Sequence, residues 1–120
     1  MGRPDDLDPM TISLNVTAEE ALRLWDQECR AQWPWDTDPT AEVNGVCLQM
    51  IASSTHGWLS RVWGETPLRR ARPRIDLATR NHLSAAISDL DAAAAMLEGD
   101  GQAYFIRLRD IVGWVIERPR

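Results

Sequence analysis

Four side chains in this chain have the chemistry to ligate a soft metal or to support a nucleophile: Cys29, Cys47, His56 and His82. Zinc-type sites are assembled from C-x-x-C or H-x-x-x-H pairs, and neither spacing occurs among these four. A di-iron carboxylate site needs Glu or Asp on inward helix faces, and the apolar faces inferred below contain essentially none. Cys29 beside a histidine, or Ser53 or Ser54 near His56, would supply a nucleophile and a base. No activating turn of the G-x-S-x-G kind accompanies them. Gly45, Gly57, Gly64, Gly99, Gly101 and Gly113 are scattered, so no phosphate-cradling loop is formed. The sequence therefore reads as a non-enzyme, with no catalytic residue, metal or cofactor assigned.

Charge gives the sharper signal. All thirteen basic residues are arginine, none is lysine, and the net charge is −5. Arg69, Arg70, Arg72, Arg74 and Arg80 crowd into one short stretch. Residues 1–42 hold ten acids against three arginines, whereas residues 43–82 hold six arginines against two acids. Such polarity suits pairing of the acidic N-terminal part with the arginine stretch, within a chain or between chains. Six tryptophans stand against one Phe and one Tyr. Trp and Arg dominate the energetic centres of protein interfaces. The leading expectation is thus a small regulatory or inhibitory module that occludes or scaffolds a partner protein with an acidic surface. Its contact residues are expected to be Arg69, Arg70, Arg72, Arg74, Trp63 and Trp114, with Trp58 as a further anchor. The alternative is nucleic-acid binding, with the Arg69 to Arg80 cluster on phosphates. A second alternative is a small-molecule pocket between helices lined by Trp25, Trp33, Trp58 and Met50.

Periodicity supplies the frame. Residues 1–10 read as a flexible leader, and residues 11–120 as a single helical domain. Thr11 to Val16 alternates apolar and polar residues, which permits a short strand and with it a minor α+β alternative. Thr17 and Glu20 form a capping box for a first helix whose apolar face is Ala18, Ala21, Leu22, Trp25, Cys29 and Trp33. Glu19–Arg23 and Asp26–Arg30 are spaced to pair outside it, and Pro34 ends it. A second helix is expected from Asp38 or Thr40, its face running Val43, Val46, Cys47, Met50, Ile51, Ser54 and Trp58. A straight continuation would bury Arg61, so a break is expected between Ser53 and Gly57.

Pro67, Pro73 and four arginines make the next stretch a crossover linker. Asp76 or Leu77 opens a third helix striped with Leu83, Ala86, Ile87, Leu90, Ala93, Ala94 and Leu97. Gly99-Asp100-Gly101 reads as a tight reversal into a last helix, Gln102 to Glu117, with Ile106 and Trp114 on its polar side. The fold expected is all-α: an antiparallel four-helix bundle with a broken second helix.

No apolar run approaches the roughly 20 residues needed to cross a bilayer, and no secretory signal pattern opens the chain. The expectation is a cytoplasmic protein with both cysteines reduced. The wide apolar arc of the last helix adds an expectation of homodimerisation. A lysine-free, Ala- and Arg-rich composition is typical of GC-rich coding, pointing to a bacterial or phage source. The W-x-G turn of small secreted helical-hairpin proteins and the arginine–histidine motif of helical ribonuclease domains are not matched.

Overall fold

A computed structural model describes residues 18–63 and 75–117. The leader, the Thr11 to Val16 strand, the Thr17 cap and the crossover arginines Arg69, Arg70, Arg72 and Arg74 lie outside the described residues. Within them the chain is predominantly helical: α1 (Ala18–Arg30), α2 (Leu48–Trp63), α3 (Leu77–Met96) and α4 (Gly99–Ile116). One two-stranded hairpin, β1 (Glu42–Val43) and β2 (Val46–Cys47), precedes α2. None of these helices is long and apolar enough to cross a membrane.

Helix α1 follows its amphipathic pattern, with Ala21 and Trp25 buried one turn apart. On the outer side Asp26 pairs with Arg30 at 3.1 Å. Arg23 bonds Glu20 instead of Glu19. Two positions depart from expectation: Trp33 lies beyond the end of α1 at Arg30, and Cys29 is exposed while its neighbour Glu28 is buried in its place. The second cysteine, Cys47, is half-buried in a strand and not in a helix.

Between Asp38 and Cys47 the expected helix start is replaced by a turn and a hairpin. The Asp38 carboxylate accepts from Thr40 N at 2.9 Å and Thr40 Oγ1 at 2.7 Å, which holds its pKa below the usual aspartate range. Asn44 and Gly45 then both take positive φ, 55° and 80°. That is the two-residue hairpin geometry whose twist matches the flanking strands, and Asn-Gly is its preferred pair. Val43 pairs with Val46 and Glu42 with Cys47.

The break expected in the second helix is also overturned, because α2 runs unbroken through Gly57 to Trp63. Its buried face is Leu48, Ile51, Ala52, Thr55, Leu59, Val62 and Trp63. Relative to the sequence reading, this face is turned about one residue around the axis. Arg61 consequently points outward, and no kink is needed to rescue its charge.

Helix α3 begins where the sequence places it. Asp76 is the N-cap, its Oδ1 accepting from Thr79 N at 2.7 Å. That bond lowers the Asp76 pKa. Helices α3 and α4 pack against each other along their lengths. Arg80 bonds the Ile116 carbonyl near one end, Arg109 Nε bonds Asp91 at 2.8 Å midway, and Gln102 Nε2 bonds the Ala94 carbonyl at 2.9 Å near the other. The order of these pairs makes the two helices antiparallel. The reversal occupies Leu97 and Glu98, so α4 starts at Gly99, three residues before the sequence reading put it.

Close approach explains the glycines there. The Asp36 carboxylate caps the first turn of α4, accepting from Asp100 N at 3.2 Å and Gly101 N at 3.1 Å. A Cβ on Gly101 would overlap Thr37 Oγ1. The loop 33–37 is thus seated on the start of α4, with Trp33 packed against Tyr104 and Phe105.

Candidate functional site

Three helices bring four polar side chains together, one of them a carboxylate that solvent does not reach. Glu28 of α1 is 1 % exposed. Arg107 of α4 donates from Nε to its Oε1 at 2.7 Å, supplying the counter-charge a buried carboxylate requires. The other oxygen, Oε2, has no hydrogen-bond donor among the described residues. It faces His56 Nε2 of α2 at 3.6 Å. The same nitrogen lies 3.4 Å from Tyr104 Oη of α4. Trp25 closes one side, its ring 5.3 Å from that of His56. His56 and Arg107 are half-buried, whereas Glu28 and Tyr104 are buried.

Burial, then the Glu28 charge, push the Tyr104 phenol up to about 12, with Arg107 opposing them. An unfolded tyrosine ionises near pH 10. Between about pH 10 and about pH 12 the unfolded chain therefore releases a proton that the folded chain keeps, and stability falls as pH rises through that window. Tyr104 is the chain's one tyrosine and there is no lysine, so few other groups titrate there. Phenolate absorbance should show the late ionisation directly. The urea midpoint of a Tyr104→Phe variant should decline less across the same window than that of the parent.

Of the residues expected to contact a partner, the structure describes Trp63 and Trp114 and stacks them on each other in the core. Arg69, Arg70, Arg72 and Arg74 lie outside the described residues. Trp63 and Trp114, expected at the contact, are 2 % and 1 % exposed. Trp114 in particular was placed on the polar side of α4, and this is corrected. Its indole stacks on Trp63 at 5.8 Å, and Trp63 stacks on Trp25 at 6.0 Å. These three indoles form a buried row continued by His56, Tyr104 and Trp33. The face of α4 is simply wider than one stripe, because α1, α2 and α3 all pack on this helix.

The pocket reading fares similarly. Trp25 and Trp33 flank the His56–Tyr104 pair, but Trp58 stacks elsewhere and Met50 is exposed. Among the described residues no group of three or more His, Cys, Asp and Glu is placed to hold a metal.

Trp58, by contrast, is only half-buried. Its ring, on α2, lies nearly parallel to His82 of α3, 3.9 Å between centroids. The Arg61 guanidinium sits 5.0 Å from the centre of the same indole, in the range of a cation–π contact. Arg61 stands close to the end of α2 and His82 close to the start of α3, so this edge brackets the arginine stretch.

Among the described residues, a different tryptophan is the most exposed large apolar side chain. Trp35 is 85 % exposed, yet its indole N–H donates to Asp100 Oδ2 at 3.0 Å. The neighbouring Trp33 N–H donates to the Thr37 carbonyl at 2.8 Å. The exposed Trp35 ring is thus tethered by one hydrogen bond to the start of α4. Nothing in the Trp33-Pro34-Trp35-Asp36 spacing tells which indole faces out.

No protein-family model, no curated protein and no solved structure matches this chain. The functional reading therefore rests on the geometry above.

Proposed function

We propose that this chain is a small cytoplasmic protein-binding module, regulatory or inhibitory in action, built on an antiparallel helical bundle. It occludes or scaffolds a partner whose contact surface is acidic. The observation that carries this reading is the Trp58 indole, held against His82 and Arg61 on the two helices that bracket Arg69, Arg70, Arg72 and Arg74. Residues 61–80 contain six arginines against two acids. A stacked aromatic ring with a guanidinium beside it, on helices that flank an arginine-rich stretch of sequence, has the composition of an interface centre that desolvates aromatic area and steers an acidic partner. Trp58 takes the anchoring role first assigned to Trp63 and Trp114, whose rings serve the core.

The experiment is recovery of the tagged chain from its source-cell lysate with and without nuclease. A stoichiometric protein that survives nuclease is expected. It should be lost when Arg69 and Arg70 are changed together to alanine, and weakened at least tenfold by Trp58→Ala. Retention of that protein by both variants would remove this edge from the proposal. The same stacked ring and arginines also suit single-stranded nucleic acid, where bases stack on aromatic side chains. That reading requires a salt slope of roughly −0.7 per neutralised phosphate on a single strand, and roughly −0.9 on a duplex.

A further inference from the structure

The first turn of α2, the last turn of α3 and the first turn of α4 lie at one end of the molecule, joined by the loop 33–41. Gln49 N at the start of α2 donates to the Pro39 carbonyl at 3.1 Å. Asp100 N at the start of α4 donates to Asp36 at 3.2 Å. Gln102 Nε2 reaches the Ala94 carbonyl at 2.9 Å, which sets the close of α3 beside them. Among the described residues four large apolar side chains are exposed, and three of the four belong to this end: Trp35 in the loop, Met50 in the first turn of α2 and Met96 at the close of α3. Exposed carboxylates accompany them, from Asp38, Glu98 and Asp100. Residues 31–60 and 81–106, which supply these segments, contain no arginine, and the chain has no lysine. Arg30, at the close of α1, is the arginine nearest to Trp35 in the sequence. It pairs with Asp26 at 3.1 Å, one turn back along its own helix, and the Trp35 ring is left 85 % exposed.

We infer that this end is a docking surface for a basic segment of a partner protein, one that carries apolar side chains between its arginines or lysines. Two features select that occupant. Exposed apolar side chains gathered at one place and rimmed by polar groups mark a contact site, and methionine adapts its shape to what it meets. The accompanying charge is negative, so an acidic segment is repelled and a basic one is drawn in. A guanidinium can lie on an indole face while its planar fork reaches a carboxylate. The bond from the Trp35 indole to Asp100 holds such a ring and such a carboxylate side by side. That tether also orders the indole before a partner arrives, which lowers the cost of binding. The inference does not rest on the Trp58 edge. That edge lies nearer the other ends of α2 and α3, and its proposed partner is acidic.

Calorimetric titration of the full chain tests it, with a synthetic helical peptide of arginines and leucines as the probe. Two control peptides replace its arginines by glutamate or its leucines by serine. The arginine–leucine peptide is expected to bind about tenfold more tightly than either control, and Trp35→Ala should weaken it about tenfold, the effect of removing an interface anchor. The Trp35 indole N–H resonance should shift as the peptide is added. Glu98→Lys should weaken binding, whereas Glu19→Lys, a reversal of an exposed charge at the start of α1, should leave it nearly unchanged. A parent chain that ignores the peptide would overturn the inference, as would a folded Trp35→Ala chain that binds like the parent. Equal losses from Glu98→Lys and Glu19→Lys would also overturn it, since bulk charge would then account for the attraction. So would tight binding of the arginine–serine peptide. Sedimentation velocity without peptide covers the remaining occupant: a parent dimer that Trp35→Ala dissolves would assign this end to a second copy of the chain and overturn the inference as stated.

Discussion

Arg107→Ala is expected to destabilise the fold by about 3–5 kcal/mol, the cost of leaving a buried charge without its partner. Total stability for a domain is commonly only about 5–15 kcal/mol, so much of it would be lost. The loss arises from what stays behind. Glu28 is sealed by Trp25 and the core, its Oε2 already lacks a donor, and its Oε1 depends on Arg107 Nε. Urea denaturation of the variant should show a lower midpoint with little change in slope.

A neighbouring pair supplies the control. Arg109 and Asp91 meet at the same 2.8 Å range, but Asp91 is 47 % exposed. Water can solvate that carboxylate once the arginine is gone, so Arg109→Ala should cost no more than about 1 kcal/mol. Replacing Glu28 and Arg107 together with methionine should recover most of what Arg107→Ala loses, because the desolvation of both charges disappears with them. Equal effects from Arg107→Ala and Arg109→Ala would show that Glu28 has access to solvent and that its cluster is a surface network.

Sequence and structure agree where the deciding forces are local. Asp76 caps α3 through a bond to a residue three positions away, and Pro34 blocks α1 from continuing; both effects can be read in a short window. The hairpin was equally local. Val-Asn-Gly-Val carries the strongest short-range hairpin signal there is, yet the apolar spacing of Val43, Val46, Cys47 and Met50 also fits a helix. Helical periodicity outweighed the turn chemistry, and that choice rotated the assigned face of α2 and created an apparent problem at Arg61.

The Glu28 cluster had no such signal. Glu28 and Arg107 are 79 residues apart, and a glutamate at the edge of an apolar stripe reads as solvent-facing until its partner is placed opposite. His56 likewise looked polar-sided, although α1 and α4 both supply groups to it. The glycines of the α3–α4 reversal were recognised as a turn. Their tighter constraint, the approach of Asp36 and Thr37, depends on a loop more than sixty residues away in the chain.

Trp114→Ala provides the second large effect, and it decides between two roles for one residue. An indole on the polar side of α4, flanked by arginines, would cost little on removal, since surface substitutions stay within about 0.5 kcal/mol. In the fold described here the ring is buried and stacked on Trp63, which in turn stacks on Trp25. Truncation removes a large apolar area and leaves a void that helices packed on three sides cannot fill, so about 3–5 kcal/mol should be lost. Trp35→Ala is the matched comparison, because the same atoms are removed from a ring that is already in water. Its melting temperature should stay close to that of the parent, while the Trp114 variant melts far lower. The contrast separates tryptophans that hold the core from those available for contact. If Trp114→Ala melted with the parent, its ring would return to the surface, and with it the contact role that Trp58 now carries.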